Sequence, residues 1–303
     1  MTALPPDEIV RAVERTLADR SDRAPRVENA TRVSGGCINP SARLRLDDGR
    51  SVFVKWNTQA PDSMFVTEAA GLDALRDHGG LRTPEVLGVG ASPGGSSWLL
   101  LDFIPAGRPS PEFWLRLARG LVELHQPSAG PFGWHGDNYI GSLPQANAWE
   151  EDWASFWWLR RLEPQLRLAW DSGFLRGDQE AWRTLERGLP VVLEDVPAQS
   201  PSLLHGDLWS GNVYPSAEGE PVVIDPAVYR GHSEVDLAMT ALFGGFAPEF
   251  YDAYADATSL SPLYDAGRRD LYQLYPLLVH VNLFGGSYEA GVRAARARVL
   301  KML

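Results

Sequence analysis

The sequence predicts an α+β chain in two parts, a small lobe built on an antiparallel sheet followed by a larger helical lobe. Three observations carry that expectation. In the first third apolar residues largely alternate with polar ones, further on they recur every three or four positions, and the segment "IPAGRPSP" between these regimes is rich in residues that break both patterns. The boundary is therefore expected at residues 103–108, giving an N-terminal lobe over 1–104 and a helical C-terminal lobe over 105–303. A small-molecule cleft is expected between them.

Taken in order, Ile9, Val10, Val13 and Leu17 share one face of an amphipathic helix over 7–20. After Pro25 the period becomes two. "SARLRL" alternates, "DDG" turns and "SVFVKW" follows, an antiparallel hairpin. Phe65, Ala69, Leu72 and Leu75 restore a helical stripe over 61–79, and "PEVLGVG" and "SSWLLLDFI" read as two further strands around the turn "ASPGG". Helices are expected over 111–125, 149–170, 178–196, 234–243, 248–257 and 265–284, interrupted near 203–225 by a loop and a short strand. Trp149, Trp153 and Trp157 recur every four positions, the spacing of a core stripe rather than a stacking platform.

Composition narrows the function classes. With 44% apolar and 22% charged residues in 303, the chain is an ordinary globular one, and its formal charge of −11 argues against nucleic acid or an anionic membrane as partner. The N-terminal stretch carries charges every few residues and no window approaches a membrane-spanning apolar run, so a soluble cytoplasmic protein is expected. The single cysteine, Cys37, excludes an internal disulfide and a thiolate metal cluster.

"LLHGDLWSGNV" sets His205, Asp207 and Asn212 in an apolar stretch, where polar side chains need a reason. Thirteen residues after Asn212, the apolar run "PVVID" ends on Asp225. The spacing of Asp207 and Asn212 is that of a phosphotransferase catalytic loop, in which the acid accepts a hydroxyl proton and the amide reaches magnesium; Asp225 takes the place of the acid that bridges metal and phosphates. A turn capped by Asp207 and Asn212 is the plainer alternative. Lys55, on a strand among apolar neighbours, needs an anionic partner, and the following helix offers Glu68. "VSGGCINPSARL" contributes Gly35 and Gly36 as a phosphate-covering loop, although two glycines in a hairpin also suit an ordinary turn. Asp102 and Ile104, where the last strand enters the connection, complete the nucleotide set. His205 is expected to orient the loop backbone, and Asp236 in "GHSEVDLAM" to brace it.

These motifs resemble the fructosamine (ketoamine) kinases, a branch of the protein-kinase-like phosphotransferases near the aminoglycoside phosphotransferases and choline kinases. The resemblance rests on "SGGCIN", "FVK" at Lys55, "EAAGL" from Glu68, "DNYIGSLPQAN", "HGDLWSGNV", "IDPA" and "GHSEVDLAMTALFGGF". It implies a protein-kinase-like bilobal fold and ATP-dependent phosphorylation, with Mg2+, of the 3-hydroxyl of a sugar held as a ketoamine, after which the amine is released. It further implies Asp207 as base, Asn212 and Asp225 as magnesium ligands, Lys55 with Glu68 as phosphate anchor, and Trp209 and His280 on the sugar side. The family commonly carries a cysteine in the glycine loop that looks like a redox switch, and Cys37 matches it. "GGCINPSA" departs from the pattern, with Pro and Ser where a further glycine would stand, so looser contact with the phosphates is expected. An aminoglycoside, choline or other small alcohol as acceptor stays open, as does a nucleotide-binding protein without turnover, and either a monomer or a homodimer.

Overall fold

The structure is a computed structural model that describes residues 4–20, 24–33, 39–61, 63–92 and 95–303. Helix α1 (Asp7–Ala18) precedes strands β1 (Val27–Arg32), β2 (Ser41–Leu46) and β3 (Ser51–Asn57), and helix α2 (Ser63–His78) leads to β4 (Val86–Ala91) and β5 (Ser97–Asp102). Helix α3 (Phe113–Leu124) is followed by a hairpin of β6 (Asn138–Ile140) and β7 (Leu143–Gln145), then by α4 (Trp153–Phe156), a π-helical stretch over Trp157–Leu162 and α5 (Glu163–Asp171). Helix α6 (Gln179–Val192) precedes four short strands, β8 (Ser202–Leu204), β9 (Val213–Pro215), β10 (Pro221–Val223) and β11 (Tyr229–Gly231). Helices α7 (Glu234–Leu242), α8 (Pro248–Ala257), α9 (Arg269–Phe284) and α10 (Glu289–Val299) complete the order.

Two compact units divide the chain. The first runs as far as Phe113 and regains Val213–Asp225; the second comprises Trp114–Asn212 and Pro226–Leu303. The division thus differs from the expected one at 104/105. The returning hairpin β9–β10 is held to the first unit by backbone bonds, Val223 N to Arg82 O at 2.9 Å and Gly107 N to Pro215 O at 2.9 Å. Three-residue apolar strands carry no sign of where they pair, which is why the sequence leaves this crossing unseen.

In the first unit the sheet order is β1-β2-β3-β5-β4, with every neighbouring pair antiparallel. Side chains alternate along β3, so Val52, Val54 and Trp56 face one side, where they pack with Ile9, Val13 and Leu17 of α1. Phe53 faces the other side, against Phe65, Ala69 and Leu72 of α2 and Leu99 and Leu101 of β5. The same alternation turns Lys55 toward α2. Both faces of the sheet are covered by a helix, α1 on one side and α2 on the other, the two helices expected over 7–20 and 61–79.

The second unit is built around buried aromatic rings, among them Phe132, Phe156, Trp157, Trp182, Tyr254 and Tyr272. The helix expected over 149–170 starts at Trp153 because Asp152 caps it, its Oδ1 accepting from Ser155 N at 2.8 Å. Trp149 therefore stays outside, 45% exposed, while Trp153 and Trp157 are core. Helix α10 was not foreseen. Its buried face is a sparse stripe of Val292, Ala295 and Val299 in an arginine- and alanine-rich segment. Among the described residues no helix is long and apolar enough to cross a membrane.

A buried charge cluster ties α7 to α9. Arg268 grips Glu234 with two bonds, Nε to Oε2 at 2.7 Å and Nη2 to Oε1 at 2.6 Å, and also pairs with Asp195. Beside it His232 Nδ1 accepts from the Tyr272 hydroxyl at 2.8 Å, which itself accepts from Trp153 Nε1 at 3.0 Å. Burial, aided by the Arg268 cation, pushes His232 down to about 3. An unfolded imidazole takes its proton near the ordinary value of about 6.5, so the stability from neutral His232 is complete above that pH and lost as pH falls toward 3. Urea midpoints are expected to drop between pH 7 and 5, by at most about 1.4 kcal/mol per pH unit from this group. His232→Gln should flatten that limb in parallel urea titrations; a variant with the wild-type slope would place the proton elsewhere.

Candidate active site

The first unit contributes a buried ammonium. On β3, Lys55 pairs through the backbone with Ser41 and Leu99, in the middle of the sheet, and is 7% exposed. Glu68 sits on the same stripe of α2 as Phe65, Ala69 and Leu72, so the packing that seats the helix also points the carboxylate at the strand. Lys55 Nζ donates to Glu68 Oε1 at 2.7 Å and to Asp225 Oδ1. Two of its three N–H donors are thus used, and the third is available to a further anion. Burial alone would depress the lysine's pKa; Asp225 and then Glu68 overcome it, and the net shift is upward, so the group stays cationic. Glu68 is shifted upward by burial, against the pull of Lys55 and with Asp225 adding to the rise. One cation stands against two acids. Asp225, whose side chain is 32% exposed, is the partner nearer solvent.

Asp225 follows β10, where Val223 pairs with Val213. The open end of this hairpin leads to Asn212 along one strand and to Ile224 and Asp225 along the other. Asp225 holds a φ of +56°, a left-handed conformation that costs a non-glycine residue free energy.

The second unit contributes the loop after β8. His205 is buried, its N–H donates to Asp236 Oδ2 at 2.7 Å, and Gly206 N donates to Asp236 Oδ1 at 2.9 Å. His125 Nε2 meets the same carboxylate at 3.2 Å while its Nδ1 meets the Tyr254 hydroxyl at 2.8 Å, partners that make Nε2 the protonated nitrogen. Gly206 has a φ of +82°, and a Cβ there would lie 2.1 Å from Ala227 O. Only glycine allows that approach. His205 Nδ1 accepts from Asp207 N at 3.3 Å, and Asn212 Nδ2 donates to Asp207 O at 2.9 Å and to Asp207 Oδ2 at 3.1 Å. The Asp207 carboxylate is therefore held by the side chain five residues on, across the short turn Ser210–Asn212.

Each of two side chains carries the donor type a hard divalent cation takes: Asn212, its nitrogen committed to Asp207, keeps a carbonyl oxygen, and Asp225 carries carboxylate oxygens. Among the described residues no group of three or more His, Cys, Asp or Glu is placed to hold a metal alone. Such a set suits an ion whose shell is completed by phosphate and water.

The remaining expected residues fall out unevenly. Gly35, Gly36 and Cys37 lie outside the described residues. Asp102 Oδ1 accepts from Glu85 N at 2.5 Å, so its carboxylate braces the sheet edge, and Ile104 O accepts from the Tyr214 hydroxyl at 3.2 Å. Trp209 and His280 are brought into one aromatic group by Phe243, which sequence reasoning missed: its ring centroid is 6.0 Å from Trp209 and 4.9 Å from His280. Phe284 and Tyr288 extend the group, 5.3 and 4.9 Å from His280. His280 Nδ1 donates to Pro276 O at 2.7 Å and burial lowers its pKa, which leaves Nε2 as a neutral hydrogen-bond acceptor. Phe243 is 41% exposed, which its place after "LAMTAL" does not reveal in the sequence.

The profile of a family described as fructosamine kinase matches residues 9–302. A chloroplastic protein-ribulosamine 3-kinase of Arabidopsis thaliana is 38% identical over 283 residues, 93% of this chain and 85% of that one. The crystal structure of a candidate fructosamine-3-kinase from Thermobifida fusca superposes with a TM-score of 0.85 at 32% identity, covering 98% of this chain and 100% of that one. An aminoglycoside phosphotransferase in complex with ADP and hygromycin B gives a TM-score of 0.61 at 16% identity over 96% of this chain and 98% of that one, a likeness of fold alone.

Asp236→Ala would leave the N–H groups of His205 and Gly206 without their acceptor. At about 1–3 kcal/mol for each of the two unsatisfied groups, the variant should lose about 2–6 kcal/mol in urea unfolding. A loss under about 1 kcal/mol would mean that water replaces the carboxylate.

Proposed function

The chain belongs to the fructosamine kinase family, and we propose that it is an ATP-dependent kinase that phosphorylates the 3-hydroxyl of a ketoamine, the sugar adduct of an amine. The 3-phosphate makes the adduct unstable, and the amine is released. The observation that carries this reading is the Lys55 ammonium, buried in the sheet and bound at once by Glu68 and Asp225.

Lys55 holds a phosphate oxygen of ATP with its remaining donor, and Glu68 keeps the ammonium aimed. Asp207 orients the sugar hydroxyl and accepts its proton, with its carboxylate steadied by Asn212 and its backbone by Asp236. Asn212 through Oδ1 and Asp225 through its carboxylate would hold magnesium. Bound there, magnesium would supply positive charge to offset the charge developing on the transferred phosphoryl. Gly35 and Gly36, outside the described residues, would cover the phosphates, and Asp102 and Ile104 would border the nucleotide. Trp209 presents a ring face to the sugar, and His280 Nε2 accepts from a sugar hydroxyl. A neutral acceptor beside aromatic faces suits a polyhydroxylated sugar.

A panel of ribulosyl-, erythrulosyl- and fructosyl-lysine beside aminoglycosides tests the acceptor, with the phosphate position read by NMR. Phosphate on the sugar 3-hydroxyl of at least one ketoamine is expected, and turnover of aminoglycosides alone would overturn the reading. Asp207→Asn should lower turnover about 10²–10⁴-fold while ATP affinity is retained. Wild-type turnover in that variant would remove Asp207 from the chemistry.

A further inference from the structure

The motif "DNYIGSLPQAN" has no place in the mechanism above, yet it folds into β6 and β7 with three buried carboxamides, Asn138, Gln145 and Asn147. Asn138 and Gln145 face each other across the hairpin. Gln145 Nε2 donates to Asn138 Oδ1 at 2.8 Å and to Ala227 O at 3.1 Å, and Asn138 Nδ2 donates to Val228 O at 2.8 Å. Asn147 Nδ2 adds a second bond to Asn138 Oδ1 at 2.9 Å, and the Tyr275 hydroxyl donates to Gln145 Oε1 at 2.8 Å. Behind them the buried Arg161 donates to Asn147 Oδ1 at 2.7 Å and to Ala146 O at 2.6 Å. Each amide is oriented by its neighbours, because Asn138 Oδ1 receives two N–H groups and its own nitrogen must then face Val228.

The captured carbonyls are those of consecutive residues, directly after Asp225 and Pro226. Ala227 is fixed on its other side as well, its N–H donating to His205 O at 2.9 Å. From Tyr229 the chain is paired with β8. Asp225, in the left-handed conformation, thus leads into a segment whose polar groups are tied one after another, and strained residues persist where their surroundings over-determine them.

We propose that Asn138 and Gln145 are positioning residues: they clamp the Ala227 and Val228 carbonyls, and through this segment hold Asp225 in the backbone conformation that presents its carboxylate to the metal. The inference rests on the assignment of Asp225 as a magnesium ligand. Partners of this kind, one step behind a ligand, change metal affinity when removed.

The test uses Gln145→Met and Asn138→Leu, which keep volume and remove the donors. Mn2+ binding is titrated by electron paramagnetic resonance with a non-hydrolysable ATP analogue, and hydrogen exchange is followed at the Ala227 amide. Metal affinity should fall about tenfold, within the 10–100-fold range of such partners, while analogue binding in EDTA is unchanged and Ala227 exchanges faster. Faster exchange with wild-type metal affinity would overturn the proposal, as would no change in either. Asp225→Asn serves as control: if it too binds Mn2+ like the wild type, the metal assignment itself falls; if it alone loses affinity, only the clamp does. Should either variant fail to fold, Tyr275→Phe withdraws one bond from Gln145 and is expected to weaken Mn2+ about threefold; unchanged affinity there counts against the clamp.

Discussion

A buried ammonium facing two carboxylates is the constraint on which the first unit is arranged. Lys55 lies on a strand whose neighbours are apolar, and moving an ammonium from water into such a place is unfavourable without charged partners. Glu68 comes from the helix laid across the sheet, and Asp225 from a hairpin 170 residues further along the chain. Three separate pieces of sequence are therefore tied at one atom. Of the two acids that meet the cation, Asp225 is the one that reaches solvent, where its carboxylate can meet a divalent cation.

The catalytic loop of the second unit is secured differently, through its backbone. Asp236 takes the N–H groups of two consecutive residues, and His125 Nε2 meets the same carboxylate. A carboxylate whose oxygens each accept N–H bonds has its lone pairs satisfied, so it tolerates burial that an unpartnered acid would not. The loop then depends on a glycine at 206, since the carbonyl of Ala227 occupies the space a Cβ would need. The Asp207 carboxylate is met by the buried Asn212, at the end of the turn Ser210–Asn212.

Much of this was legible because it is periodic or charged. Alternation along "SVFVKW" puts Lys55 on the face of Phe53, and the stripe Phe65, Ala69, Leu72 fixes the side of the helix on which Glu68 stands. Asp207, Asn212 and Asp225 announce themselves as polar groups in apolar runs. What stayed hidden is neutral or non-local. The carboxamides of Asn138, Gln145 and Asn147 carry no charge to betray burial, and a three-residue hairpin is too short to show a period. The return of Val213–Asp225 to the first unit is a pairing between distant segments, and helix α10 hides its few valines among arginines. Trp149 misleads in the opposite sense, since the four-residue spacing runs on past the cap at Asp152.

The two ways of fixing polar groups answer different demands. A group that must exchange partners during a reaction, as the roles proposed for Lys55 and Asp225 require, is best held by charge, which reaches across small displacements and is not spent when geometry shifts by a few tenths of an ångström. A group that must stay still, as the backbone around Asp207 must, is best held by short directional bonds in a dry setting, where misalignment is penalised at once. Strain at Asp225 belongs to the second kind and charge at its carboxylate to the first. Its backbone leads into a segment bonded to neutral amides and to the loop, while its side chain faces the ammonium, so the same residue can be rigid in position and free to change its partner.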